Sequence, residues 1–205
     1  MARKPDKLHD AYALKTPEDN RRLYAGWAAT YDAEFAEATG YRLPEAVAAA
    51  FAALGGAGPV LDVGAGTGLV AERLALRGVG PIDGTDISHA MLGVAEAKGS
   101  YRELIEGDAT AGLPVPDGAY AGVVSAGTFT LGHLGPAAFP ELLRLARPAA
   151  LFALSINAHH YEEAGFALAL AALPVEGLAL DDVPIYDGEG VHGADRAFIA
   201  TFRKA

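Results

Sequence analysis

The 205-residue sequence contains no cysteine. That excludes disulfides, thiolate nucleophiles and zinc sites built on Cys ligands. Basic side chains are scarce: 16 Lys and Arg stand against 26 Asp and Glu, a net charge of −10. Nucleic-acid binding draws most of its affinity from Lys and Arg on phosphates, so this balance argues against a DNA or RNA partner. The field instead favours neutral or cationic small molecules, weakly so in salt. No run of about 18 residues is free of charge and turn residues, so no transmembrane helix is expected. The opening MARKPDKLHD is charged and lacks the apolar stretch of a secretion signal, which makes the cytoplasm the expected compartment. Internal repeats and low-complexity linkers are also missing.

What remains is a globular composition, 51% apolar and 20% charged. The length suits one domain at roughly 150 residues each, with about 70% of the unfolded surface buried. We expect a single domain over 1–205, with 1–56 as an N-terminal helical lid segment and residues 1–15 ordered last, if at all. Thr16-Pro17-Glu18-Asp19 reads as a helix start: a cap, a first-position proline and two acids at the positive end of the dipole. Tyr24, Trp27, Ala28, Tyr31 and Phe35 then form one helical stripe. A second helix starts at Pro44 and ends before Gly55-Gly56.

From residue 59 short apolar runs alternate with helical periods. Strands are predicted at 59–63, 81–86, 101–107, 120–125 and 150–156. Helices are predicted at 67–77, 88–98, 136–147 and, for the most part, 159–173. Two extended pieces follow, at 175–185 and 196–203, with no helix between them and so antiparallel. Strand–helix alternation at this spacing means right-handed βαβ units: an α/β fold with a mostly parallel sheet and helices on both faces. Asp83 fits the second strand poorly unless it faces out or the strand lies near a sheet edge.

The strongest chemical signal is the run from Val60 to Gly68, VLDVGAGTG, between the first strand and its helix. Ligands of open α/β sheets bind at the carboxyl ends of strands near the switch point. Glycines there let backbone approach a ligand closely. Gly64, Gly66 and Gly68 are each two apart, so the third glycine of the dinucleotide motif is absent, as is a Walker-type phosphate loop. Asp86 ends the second strand 22 residues after Gly64, where a carboxylate can take both ribose hydroxyls. Asp108 ends the third strand and suits either an exocyclic purine amine or a turn cap. Ile87 and Met91 can flank a base; Met91 suits the core equally well.

In order and register, Val60 to Gly68, Gly84 to Ser88, Gly107-Asp108-Ala109 and Tyr120 to Ser125 resemble motifs I to IV of class I S-adenosylmethionine-dependent methyltransferases. The resemblance covers roughly residues 20 to 160. Tyr24…Trp27…Tyr31-Asp32 and the segment from Pro140-Glu141-Leu142 through Ser155-Ile156-Asn157 are similar to the small methyltransferase-like group that includes the Williams–Beuren syndrome region methyltransferase. It implies a Rossmann-like seven-stranded sheet of order 3-2-1-4-5-7-6 with its last strand antiparallel. It implies S-adenosyl-L-methionine as cofactor and S-adenosyl-L-homocysteine as product. Asp62 and the backbone of Gly64, Ala65 and Gly66 would lie near the methionine portion, Asp86 on the ribose, and Asp108 with Ala109 at the adenine. Ser125 and Ala126, just after the fourth strand, would lie under the sulfonium. Arg147-Pro148-Ala149-Ala150 departs from the family's Pro-Gly-Gly turn, and alanines resist positive φ, so that turn is expected to differ.

Methyl transfer from a sulfonium is an in-line displacement, needing alignment and a dry pocket more than a triad. Ser125-Ala126-Gly127-Thr128-Phe129 is unlike the Asn/Asp-Pro-Pro-Tyr segment that holds a planar amide or adenine amine, and no acidic cluster suggests a metal. A small-molecule acceptor is expected, with the protein a monomer or homodimer. His133 is the candidate general base, or an exposed loop histidine. Tyr24, Trp27 and Tyr31 suit a lid over the sulfonium, with Tyr31 at the cofactor, or simple helix packing. Asn157 is a further pocket candidate; His159 and His160 are poor metal ligands because helix neighbours point apart. The competing readings are a non-catalytic S-adenosylmethionine-binding sensor or assembly subunit, a protein side-chain methyltransferase, and a NAD(P)-dependent oxidoreductase. The last has no Tyr-x-x-x-Lys pair to support it.

Overall fold

The computed structural model describes residues 16–187 and 195–205, so the expectation for residues 1–15 lies outside it. Helix α1 (Pro17–Ala25) begins as expected: the Thr16 side chain accepts from the Asp19 N–H. The predicted stripe does not stay on one helix. The chain turns at Gly26 and re-enters as a π-helical turn, Asp32–Glu37, which drives Trp27 and Phe35 inward. The period of the aromatics reflects a common buried destination rather than one continuous helix. Helix α2 (Leu43–Ala53) follows, burying Val47, Ala48 and Phe51.

The rest alternates: β1 (Val60–Val63), α3 (Leu69–Ala75), β2 (Ile82–Asp86), α4 (His89–Lys98), β3 (Glu103–Glu106), β4 (Tyr120–Phe129), α5 (Phe139–Leu145), β5 (Ala146–Asn157), α6 (Ala158–Glu163), α7 (Phe166–Ala171), β6 (Val175–Pro184) and β7 (Arg196–Lys204). The seven strands form one sheet in the order β3-β2-β1-β4-β5-β7-β6. Strands β1 to β5 pair parallel, and β7 runs antiparallel between β5 and β6. The expected sheet order is therefore the observed one. No helix among the described residues is long and apolar enough to cross a membrane.

Strand alternation sorts the core onto the two faces. Val60, Val124, Leu151 and Ala153 pack with α2 and α3. Leu61, Val63, Phe152 and Leu154 pack with α5 and α7 on the other face, where Phe152 stacks on Phe202 at 4.6 Å between ring centroids.

Three local expectations are corrected, and the two-way expectation for Asp83 is met in its sheet-edge form. The 159–173 helix breaks at Gly165 into α6 and α7. Strand β4 runs four residues past Ser125, so Ser125 and Ala126 lie within it rather than after it. Asp83 does not face out: it is 2% exposed, in a strand next to the sheet edge. It is neutralised by Arg102, whose Nη2 lies 2.6 Å away, and accepts from the Tyr120 hydroxyl at 3.0 Å. Finally, the 147–150 turn does take positive φ, at Ala149 (φ 63°), the one non-glycine to do so among the described residues.

An alanine there carries Cβ crowding that glycine lacks. Ala149→Gly is expected to raise the urea midpoint, stabilising the protein by about 0.5–1 kcal/mol; an unchanged or lower midpoint would show the turn to be unstrained.

Candidate active site

The strand order reverses between β1 and β4, and a cleft opens at their carboxyl ends. Its floor is the glycine turn. Gly64 and Ala65 both donate their N–H to the Thr85 carbonyl, at 2.8 and 2.9 Å. Gly64 (φ 69°) cannot be larger, because a Cβ there would sit 2.0 Å from Thr128 Oγ1. A Cβ on Gly66 (φ 55°) would meet no atom closer than 4.0 Å, so its bare edge is open.

Asp86 ends β2 with both oxygens engaged. Oδ2 accepts from Gly66 N at 2.9 Å and Oδ1 from Ser88 N at 2.8 Å. Burial raises its pKa above the usual carboxylate value, against the pull of those N–H donors. Asp108 caps its own turn, accepting from the Thr110 N–H and hydroxyl at 2.8 and 2.7 Å, while also facing the cleft. Its two expected roles are thus compatible.

These residues line a cavity of about 440 Å³, within the usual range for a small-molecule site. The turn residues Gly64, Ala65 and Gly66 form one side, with Asp86, Ile87 and Met91 beyond them. Asp108, Ala109, Ala126, Tyr31 and His133 complete the set of predicted residues on its walls. Asp62 and Ser125 stand behind the wall. Ser125 donates to the Val63 carbonyl at 2.7 Å, tying β4 to the end of β1. Asp62 is fully buried and accepts from the Tyr101 hydroxyl at 2.7 Å, with Oδ1 unpartnered. Burial pushes its pKa up to about 7, although the Tyr101 hydrogen bond opposes the shift.

The N-terminal segment roofs this cavity. Asp32 accepts from the Thr67 hydroxyl at 2.5 Å and pairs with Lys98 at 2.6 Å, fastening the π-helical turn to the glycine loop and α4. Trp27 is buried among Tyr24, Tyr31 and Phe35, which is the packing role, whereas Tyr24 and Tyr31 also face the cavity. His133 closes a turn after β4 through its own N–H to the Thr130 carbonyl. Its Nδ1 lies 2.9 Å from the Leu131 carbonyl, which makes Nδ1 the protonated nitrogen. Nε2 is then the acceptor, 3.0 Å from the Tyr24 hydroxyl. Burial holds the imidazole below the usual histidine pKa, reinforced by His160 and opposed by the Leu131 carbonyl. His133 is therefore a neutral, half-buried acceptor at the cavity wall rather than an exposed loop residue.

Asn157 caps α6 through the His160 N–H and lines a smaller chamber behind the roof. His160 bonds the Leu134 carbonyl at 2.9 Å, while His159 points to Glu163. Among the described residues, no three His, Asp or Glu side chains gather as a metal site.

Sequence reasoning missed Asn20, Tyr41, Thr85 and Thr128, all on the cavity wall. Asn20 lies in a run of polar residues that carries no signature; only the fold turns it inward.

A sequence profile described as a methyltransferase domain matches residues 60–149. Human methyltransferase-like protein 27 is 31% identical over 194 residues, covering 84% of this chain and 78% of that protein. The chain belongs to the class I S-adenosylmethionine-dependent methyltransferases. Its cofactor is S-adenosylmethionine. The fold is shared with 1,6-didemethyltoxoflavin-N1-methyltransferase of Burkholderia thailandensis, solved with 1,6-didemethyltoxoflavin and S-adenosylhomocysteine. That match has a TM-score of 0.66 at 17% identity, over 94% of this chain and 92% of the other. The cyclase SpnF matches with a TM-score of 0.70 at 19% identity, over 93% and 97%.

Asp62 makes this methyltransferase's stability depend on pH. A pKa raised by folding contributes stability that is complete below the unfolded value of 3.8 and is lost as pH rises through the folded value near 7. The wild type should lose on the order of 2 kcal/mol between pH 5 and pH 7 from this group. Asp62→Asn keeps the acceptor for Tyr101 and should flatten that loss in urea titrations. Parallel curves for both proteins would mean that Asp62 is ionised in the fold.

Proposed function

We propose that this methyltransferase acts on a small-molecule acceptor bound beneath the N-terminal segment, with His133 as general base. The observation that carries the reading is the single cavity that runs from the carboxylates of Asp86 and Asp108 to the neutral imidazole of His133, closed above by α1 and Tyr31. A protein side chain would need a more open approach. We further assign the enzyme to the cytoplasm, as a monomer or homodimer without nucleic-acid or membrane partners, in keeping with its net charge of −10.

The wall chemistry fits the cofactor. Among the described residues it offers two carboxylates, a bare backbone edge at Gly66, and no Lys or Arg, which suits a ligand bearing hydroxyls, amines and a cationic sulfur. Asp86 would hold the ribose hydroxyls, exchanging its Gly66 and Ser88 hydrogen bonds in part for them. Asp108 and Ala109 would meet the adenine, between Ile87 and Met91. The backbone of Gly64 to Gly66 would carry the methionine portion, with Asp62 buried behind it and Ser125 and Ala126 below the sulfur. When bound, S-adenosylmethionine supplies an electrophilic methyl group. The protein's share is alignment, exclusion of water and proton removal. Of the expected 1–56 lid, the described part, residues 16–56, would close the cavity: Asp32 latches it to Thr67, and the aromatic faces of Tyr24 and Tyr31 favour a cation below them. His133 Nε2 receives the acceptor's proton in place of the Tyr24 hydroxyl.

Calorimetric titration tests the reading. S-adenosylmethionine and S-adenosylhomocysteine should bind at micromolar level and NAD should be silent. Asp86→Ala should weaken both adenosyl ligands by at least about tenfold, the worth of one lost charge-assisted hydrogen bond. Undiminished binding in that variant would remove Asp86 from the site. With an acceptor in hand, His133→Ala should lower kcat by about 10²–10⁴. The wild-type rate should rise as pH climbs through the depressed His133 pKa and stay level above it, because only the neutral imidazole accepts a proton. A rate independent of pH and of His133 would leave a positioning role alone, as in a binding protein without catalysis.

A further inference from the structure

The N-terminal segment is held in two different ways on either side of Gly26. Beyond it, Trp27 and Phe35 are 2% and 5% exposed and packed ring against ring. Asp32 is latched to Thr67 and Lys98, and backbone bonds join Arg42 to Ile185 and Asp187 to Gly40. Before Gly26, α1 rests against α4 but buries no apolar side chain among those described. Leu23 and Tyr24 are half-buried, and its one buried residue is the polar Asn20. A turn over residues 26–30 joins the two parts and opens on the glycine.

Among the described residues, two side-chain hydrogen bonds tie α1 across the cavity. Asn20 Nδ2 donates to the Gly132 carbonyl at 2.9 Å, and within its own turn to the Thr16 carbonyl at 3.0 Å. The Tyr24 hydroxyl donates to His133 Nε2 at 3.0 Å. Both ties end on neighbouring residues of one turn. Hydrogen bonds exchange with water at small net cost, whereas buried aromatic rings leave the core far less readily. Helix α1 is therefore the weakly held part of the roof, and Gly26 is its boundary. Thr16, Asn20 and Tyr24, each four residues apart and so on one face, line the cavity. Swinging α1 outward would open that wall and leave the rest of the roof in place.

The Tyr24 bond also occupies the imidazole. A neutral imidazole carries one donor nitrogen and one acceptor nitrogen. Nδ1 is the donor, spent on the Leu131 carbonyl at 2.9 Å. Nε2 is the acceptor, and the Tyr24 hydroxyl fills it. With α1 closed in this way, His133 has no site left for a proton from another molecule. Resting on the reading of His133 as base, we propose that α1 is a hinged cap, turning at Gly26, whose closure lays Tyr24 on His133 as an autoinhibitory contact. An acceptor must donate to Nε2 in place of Tyr24 before its proton can leave. The base is thus shielded until a molecule able to use it displaces the phenol.

Diethyl pyrocarbonate, which acylates the unprotonated nitrogen of a neutral imidazole, probes the cap in the full-length protein, with each histidine followed by peptide mass spectrometry. His89 and His159, with side chains 88% and 65% exposed, are internal references. His133 should react at least about tenfold more slowly than either. Tyr24→Phe keeps the ring on Trp27 but loses the hydroxyl. It should raise the His133 rate roughly tenfold, the worth of one hydrogen bond, and leave both reference rates unchanged. Asn20→Ala, which cuts the other tie, should raise it by a similar factor. Amide hydrogen exchange should show residues 20–25 opening together while 32–37 and 43–53 stay protected. Reaction of His133 as fast as the references, or an unchanged rate in Tyr24→Phe, would overturn the cap. So would exchange in which 32–37 opens together with α1, because the hinge would not then lie at Gly26. The modification needs neither acceptor nor turnover, so its failure is distinct from failure of the base. A methyl-transfer rate unaffected by His133→Ala would overturn the base reading, and the inhibitory role with it, even where the shielding is found.

Discussion

One carbonyl organises the site. Thr85 O accepts from both Gly64 and Ala65, and this forked hydrogen bond turns the chain at the end of β1 against the end of β2. The turn requires positive φ at Gly64, with Thr128 of β4 pressed against the space where a side chain would be. Because Thr85 is held, Asp86 is held, and its Oδ2 reaches back to Gly66 N. On the other side Ser125 Oγ bonds the Val63 carbonyl. Three strand ends are thus cross-tied by a few short bonds, and the cavity walls inherit their positions from those ties.

The roof depends on the floor. Asp32 joins Thr67 of the glycine loop, and through Lys98 it joins Glu72 as well. Tyr41 fits only because Gly127 has no side chain: a Cβ there would lie 2.1 Å from the Tyr41 hydroxyl. Backbone bonds from Arg42 to Ile185 and from Asp187 to Gly40 fasten the same segment to the end of β6. The N-terminal segment is therefore anchored at both the cofactor loop and the far side of the sheet, with Asn20, Tyr24 and Tyr31 suspended between over the cavity.

The electrostatics are uneven by design of the fold. Asp86 and Asp108 put acidic groups on the cavity wall, and the neutral imidazole of His133 lines the same cavity. The charges that must be buried elsewhere are neutralised locally, as Asp83 is by Arg102 and Tyr120. Asp62 has only the Tyr101 hydroxyl for this purpose, so desolvation dominates and its proton is retained toward neutrality.

Much of this was legible from residues alone. The apolar runs, the caps at Thr16 and Ser88 and the glycines at 64, 66 and 68 report local backbone preferences, and these are properties of a few adjacent residues. They determined the strands, the helices between them and the turn with its carboxylates at 86 and 108. Contacts across the chain decided the rest. Gly26 ends a helix whose aromatic period runs on unbroken, because packing rather than propensity selects where Trp27 goes. His133 became a half-buried neutral acceptor only when Tyr24, 109 residues earlier, was laid over it. Asn20 carried no signal at all: its free oxygen exists because the Thr16 and Gly132 carbonyls consume its donors, and one of those lies 112 residues away. Local preference acts over a turn of chain, whereas the burial that sets acidity and leaves a polar atom unpaired is a property of the assembled fold.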